Sequence, residues 1–481
     1  MGKWNPIVYD KKFFIQCCVG LGLMALAMKL SGGLAFLAIF PLLLIGFGRN
    51  KTEFLFYLLL MDIAMTMANG NIVPKGAIFG YAARSVHFLI AGVMVLQMTG
   101  QRISKLLSPM MSVFFYIGYM ALISAQGWMP LISYLKMTLF GVMFLGFFSV
   151  ANAATMRQLV DGRKIRSVML SFSFFFIMGS MALLPFPGIA TLGADYYTSH
   201  GMAIPEGSFF TGMTLHSQAL GPVVSALATL LFADVLFSVQ RWDKLYVLLL
   251  ICCPILIYKT GSRTAMGAYL AGVLFVSFLF VQGRGVMARW KQRAVSLLTV
   301  IGIVGTLLMA TTPQMREAVA RFALKYASEG QELDVSFEEL TKTRQGSVDT
   351  QMENFHAKPW TGNGFQVSKS MDGMDVYSIN QVMSAPVEKG VWITAVLEEG
   401  GVFGEIVFVL CVIIAFFSLL SRGAYIGLAV FFSMIVSNLG EFSMFSMTST
   451  GGLVWATVFI GLALDGHRQK TMCHRWSPQV F

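Results

Sequence analysis

The chain has 481 residues, of which 56% are hydrophobic and only 12% charged, with a net charge of +11 and a mean hydropathy of +0.69. Soluble domains are about one quarter charged, so roughly half of the usual charge is missing, and apolar runs near the length of a bilayer crossing recur from end to end. This excludes a cytosolic enzyme, a secreted disulfide scaffold and a nucleic-acid binder, and it predicts an all-α polytopic membrane protein. Reading apolar runs of about 15–23 residues gives about fourteen spans, near 13–30, 33–48, 53–68, 77–99, 106–125, 131–154, 167–184, 221–239, 245–258, 264–282, 295–311, 402–420, 424–440 and 451–466. The second, third and ninth runs are the shortest. Lys11 and Lys12 precede an apolar run without a cleavage site, which reads as a retained first span. The six cysteines fall in apolar runs or in the C-terminal tail, so no disulfide framework is implied.

Basic residues cluster in alternate connections: Lys11 and Lys12, Arg49 and Lys51, Arg102 and Lys105, Arg157 to Arg166, Arg241 and Lys244, Arg284 to Arg293, Arg422, and Arg468 to Arg475. By the positive-inside rule both termini face the cytoplasm, and the charge needs no nucleic-acid partner. The predicted organisation is a bundle over 1–311 with an external segment at 185–220, a long external loop over 312–401, further helices over 402–466 and a cytoplasmic tail over 467–481. Lys136, near the external end of its span, reads as snorkelling to water.

The long loop holds most of the chemistry. Gln314 to Ser328 reads as a short helix. Ser336 and Glu339 form a capping box that opens another, with Phe337, Leu340, Val348, Met352 and Phe355 on one face. Arg344 interrupts that stripe, either snorkelling or turned inward to meet an anion. The helix ends before Pro359, and Thr361-Gly362-Asn363-Gly364 reads as a turn. Glu388 precedes the next apolar helix, where it serves either as a helix-start carboxylate or in chemistry; Glu398 and Glu399 lie close behind, in water or lining a cavity. Thr260-Gly261-Ser262-Arg263-Thr264-Ala265 combines free backbone N–H groups at a helix start with a forked donor, a pairing that suits phosphate. Arg84, one turn before His87, lies inside a span, where an arginine is costly enough to suggest function.

In this order, four pieces resemble the O-antigen ligase and polymerase superfamily of bacterial envelope glycosyltransferases. They are Gly212-Met213-Thr214-Leu215-His216-Ser217-Gln218-Ala219-Leu220-Gly221, Ser262-Arg263-Thr264-Ala265, Arg344 through Gly364, and Glu388 through Gly404. The resemblance covers roughly 205–420 and implies the architecture grouped with lipid-dependent (GT-C-like) glycosyltransferases. It implies an undecaprenyl-diphosphate-linked oligosaccharide as donor, no metal or nucleotide-sugar cofactor, a bacterial inner-membrane location with the active site facing the periplasm, and other polysaccharide-assembly proteins as partners. Arg263 and Arg344 would hold the diphosphate; Arg84, Ser262, His216, Gln218, His356 and Glu398 would contact diphosphate or glycan. The ligase His-Asn pair is absent and Glu388 stands in that region, which favours a polymerase over a ligase. The alternative from another class is a lipid-linked glycan flippase, although no internal repeat is visible. A non-catalytic membrane scaffold is the third reading.

Overall fold

The computed structural model describes residues 9–31, 34–73, 77–156, 160–191, 210–237, 243–284, 337–368, 390–446 and 449–476. Within them the chain is helical: α1 (Lys11–Ser31), α2 (Ile39–Gly48), α3 (Thr52–Met67), α4 (Ala77–Met98), α5 (Val113–Ser124), α6 (Pro130–Met156) and α7 (Gly162–Leu183) come first. They are followed by α8 (Ser217–Phe237), α9 (Lys244–Lys259), α10 (Arg263–Leu279), α11 (Phe337–Ala357), α12 (Trp392–Ser421), α13 (Tyr425–Asn438) and α14 (Thr450–Trp476).

Six helices are long and apolar enough to cross a membrane: α1, α6, α7, α8, α10 with its π-turn extension, and α12. The protein is therefore a helical membrane protein, with fewer such helices among the described residues than the fourteen runs suggested. For three of the runs the reason is length. The run at 33–48 breaks into a 3-10 turn, Leu34–Ala38, and the ten-residue α2, which at 1.5 Å per residue covers about half a bilayer. The runs at 53–68 and 245–258 fold as the 16-residue α3 and α9. The run at 295–311 and the predicted helix Gln314 to Ser328 lie outside the described residues.

Helix α8 is enclosed along its whole length. Seven of its 21 residues are alanine, serine or threonine, and they let neighbours approach: a Cβ at Gly272 of α10 would lie 2.4 Å from Thr229 Oγ1. Between α13 and α10, Ser433 donates to Ala268 O at 3.1 Å. Between α13 and α14, a Cβ at Gly461 would come within 2.8 Å of Gly427 Cα. Where lipid is as apolar as the side chains, such close approach and interhelical hydroxyl bonds replace the hydrophobic effect as the packing force. Helix α14 ends this core with Asp465, whose Oδ2 accepts from Ile426 N and Gly427 N, each at 2.9 Å, capping α13.

The connections form two groups. In one, Asp10 N donates to Arg163 O at 3.4 Å, Lys164 pairs with Glu53 at 3.2 Å, Arg422 Nη1 donates to Ser108 Oγ at 2.6 Å and Gln469 Nε2 to Arg422 O at 2.8 Å. Several of the basic connections picked out in the sequence are thus neighbours of one another or of the connections beside them. In the other group, Asn69 Nδ2 binds Ile189 O, Thr211 Oγ1 and Gly212 O, and the turn after α11 packs on the start of α12. This second group holds the candidate site.

Candidate functional site

Two sequence motifs meet at the start of α10. Ser262 is the N-cap: its Oγ accepts from Ala265 N at 3.3 Å. Gly261, at φ +63°, makes the reversal that aims the first turn. Gly221 of α8 lies against this turn, since a Cβ there would sit 2.9 Å from Ala265 Cβ and 3.0 Å from Ser262 Cβ. One turn earlier, His216 caps α8, its Nδ1 accepting from Gln218 N at 3.1 Å. Thr214 and Leu215 are tied to α3, with Leu215 N donating to Met67 O at 2.8 Å. The Gly212–Gly221 and Ser262–Ala265 pieces therefore form one surface. Arg263 is half-buried on it, in the first turn of α10.

A residue no motif marked completes this surface. Ser262 Oγ donates to Glu441 Oε1 at 3.3 Å. Glu441 is held there because Gly440 rests on Thr264, where a Cβ would overlap Thr264 Cγ2 at 2.0 Å, and because Asn438 Oδ1 ties back Ser443 N and Met444 N at 2.8 and 2.9 Å. The same connection then reaches the loop motif: Phe445 packs on Phe365 with ring centroids 5.2 Å apart.

The helix after the predicted capping box forms as expected. Its seated face differs. Val348, Met352 and Phe355 are only half-buried, whereas Gln351 and Asn354 are 3% and 5% exposed. The partner they meet is polar. Glu398, fully buried on α12, accepts from Asn354 Nδ2 at 2.7 Å and from Ser368 Oγ at 2.6 Å. Thr394 Oγ1 donates to Gln351 Oε1, and Asn363 Nδ2 reaches Asn354 O and Glu398 O, each at 3.1 Å. Lys136 does not snorkel: it is 3% exposed and donates to Gln366 O at 3.2 Å, because the 365–368 stretch folds over it. A short helix opens at Trp392, and a kink at Gly401 separates it from the apolar span, which begins near 402 as the sequence predicts; Glu398 and Glu399 sit in the short helix before the kink.

The remaining candidates scatter. His356 is exposed in the last turn of α11, beside Phe355 and apart from the Glu398 network. Arg344 lies on α11 and Arg84 on α4, with side chains outside the described set; Glu388 falls outside it altogether. One turn from Arg84, His87 Nδ1 lies 3.2 Å from Asp62 Oδ2, both fully buried. Among the described residues, no three His, Cys, Asp or Glu side chains are gathered as a metal site. The signals that could have found Asn354 and Gln351 were weak: two amides at i, i+3 spacing beside an apolar stripe.

Glu398→Ala tests the polar seat. It strips Asn354 and Ser368 of the buried acceptor they share and is expected to cost about 2–3 kcal/mol. Amide exchange over 351–357 should accelerate, with α8 exchange unchanged; equal protection in both proteins would contradict the seat.

No protein-family model matches the chain, and no curated protein is similar to it in sequence.

Proposed function

We propose that this protein is a membrane glycosyltransferase of the lipid-dependent kind, which polymerises undecaprenyl-diphosphate-linked oligosaccharide units at the periplasmic face of a bacterial inner membrane during surface-polysaccharide synthesis. The observation that carries the reading is the meeting of Gly212–Gly221 with Ser262–Ala265, which makes one surface of Arg263, a capped helix start and His216. Backbone amides at a helix start favour an anion, and a guanidinium adds two parallel donors. Supporting it, Glu441 on Ser262 and Phe445 on Phe365 connect that surface to the loop helix through one short stretch.

In this mechanism an acceptor hydroxyl attacks the anomeric carbon and the bond from that carbon to the diphosphate oxygen breaks. Undecaprenyl diphosphate leaves with the bonding pair. Glu388 takes the hydroxyl proton, and Arg263 and Arg344 hold the charge that develops on the leaving group. His216, Gln218 and Ser262, which lie on the same surface as Arg263, contact diphosphate or glycan.

The test incubates purified protein with a lipid-diphosphate oligosaccharide and reads the product on a gel. Wild type should give a ladder, and Arg263→Ala should lower its rate by about 10²–10³-fold while still inserting and expressing. A single transferred glycan identifies a ligase. Unchanged substrate with both proteins sinks the enzymatic reading and favours a transporter or scaffold.

A further inference from the structure

Helix α12 carries an outward stripe of exposed apolar residues, Phe403, Ile406, Leu410, Ile413, Ile414 and Phe417. It is closed at one end by Arg422, whose Nη1 donates to Ser108 Oγ at 2.6 Å. The 19 residue-to-residue steps from Phe403 to Arg422 rise roughly 28 Å at 1.5 Å each. That is close to the thickness of the bilayer hydrocarbon, about 30 Å.

The neighbouring strip of chain measures the same interval independently. It begins at the same Ser108, with the 3-10 turn Ser108–Ser112, and continues through α5 to Ser124. At about 2.0 and 1.5 Å per residue these pieces together also come to roughly 28 Å. Phe115 and Leu122 are exposed along this strip. It ends at the Gln126–Trp128 turn, where Trp128 N donates to Asn363 O at 2.7 Å.

At the far end of both strips tryptophan and tyrosine join the exposed side chains. Trp360 is 61% exposed and its ring lies 5.6 Å from that of Phe403. Trp128 and Tyr134 are exposed beside them, with the Tyr134 hydroxyl donating to Ala121 O at 2.8 Å. A large aromatic face with a polar edge suits the boundary where acyl chains give way to headgroups.

We infer that Trp128, Tyr134, Trp360 and Phe403 form a lipid-facing rim seated at that boundary, with the bilayer as its partner. The kink at Gly401 then marks the membrane surface. The Asn354–Ser368–Glu398 network, on the other side of the kink from the apolar stripe, lies at headgroup depth. This holds whatever chemistry the protein performs.

The experiment places single spin labels at Trp360→Cys, Phe403→Cys, Ile414→Cys and His356→Cys, in a background with Cys18→Ser and Cys473→Ser, on the full chain in phosphatidylcholine–phosphatidylglycerol nanodiscs. Collision with dissolved oxygen should exceed collision with a water-soluble nickel chelate at 414. The chelate should dominate at 356, and the two should balance at 360 and 403. Labels at 360 and 403 that behave like 356 overturn the rim, and so do labels shielded from both reagents, the mark of a second protein copy. A label-free measurement guards against misfolded variants. Lipid brominated near the headgroup should quench wild-type tryptophan fluorescence more than that of Trp360→Phe, and equal quenching overturns the proposal.

Discussion

Asp234→Ala is expected to cost about 3–5 kcal/mol, the largest loss from any single substitution considered for this fold. Asp234 is fully buried on α8 and binds Arg166 of α7 by two parallel bonds, Nε to Oδ2 and Nη2 to Oδ1, both 2.8 Å. Tyr246 of α9 adds its hydroxyl to Oδ2 at 2.6 Å. One carboxylate thus fastens three helices. Removing it leaves a buried guanidinium without its counter-charge, a far worse state than having neither group. The pair itself need not be stabilising, because two desolvated ions only roughly repay their dehydration. The double variant Arg166→Met with Asp234→Leu should therefore recover most of the loss, and Tyr246→Phe should cost only about 1 kcal/mol. The reporter is built in: Cys252 and Cys253 on α9 are buried, so a thiol-reactive dye follows heat unfolding in detergent. Melting of Asp234→Ala within a degree of wild type would show that the triad holds nothing.

Arg166 also shows where the sequence reading stops. In the charge tally it counted as one more basic residue of a short connection, yet it is 2% exposed. Its partner lies 68 positions away, and no periodicity links them. The membrane class was legible because it rests on composition. The helix over 337–357 was legible because its periodicity and the following proline are local; its predicted cap, Ser336, lies outside the described residues. The glycine turn after it was legible for the same reason. Which face of that helix is seated was not, since the apolar stripe is the default answer and only a buried carboxylate on another helix makes Gln351 and Asn354 the inner side. Lys136 was misread in the same way: snorkelling is correct for a lysine near a span end unless chain from elsewhere covers it. Of the candidate site, the sequence named Ser262 and Arg263 from the chemistry of a helix start. It missed Glu441, whose neighbourhood, Asn438-Leu439-Gly440-Glu441, carries no motif. At 33–48, 53–68 and 245–258 span counting failed for a plainer reason, because an apolar run records hydrophobicity and not whether the backbone stays helical long enough to cross.

Gly401→Ala is expected to unseat the loop from α12. Gly401 adopts φ +64°, ψ −168° inside the helix, a combination open essentially to glycine alone and worth about 1–3 kcal/mol of strain for any other residue. Space forbids a side chain as well: a Cβ there would lie 2.4 Å from the Trp360 carbonyl carbon and 2.6 Å from Thr361 N, which are backbone atoms that cannot swing aside. The reciprocal contact is equally tight, with a Cβ at Gly362 only 2.3 Å from Glu399 O. The two glycines face each other across a seam closed by Val402 N to Pro359 O at 2.8 Å, Asn363 N to Glu398 O at 3.0 Å and Gly364 N to Glu399 O at 2.9 Å. Those bonds orient the Glu398 backbone, and with it the carboxylate that receives Asn354 and Ser368. Strain and clash therefore act on the polar seat without touching any polar side chain. Gly401→Ala and Gly362→Ala should each make the 358–368 stretch cleavable by a soluble protease under conditions that leave wild type intact, while α8 and α14 keep their exchange protection. Gly267→Ala is the matched control: that glycine is helical, with open space around its Cβ position, so alanine there should be neutral or stabilise by about 0.5–1 kcal/mol. If Gly401→Ala resists the protease as well as Gly267→Ala does, the loop is not held by this seam.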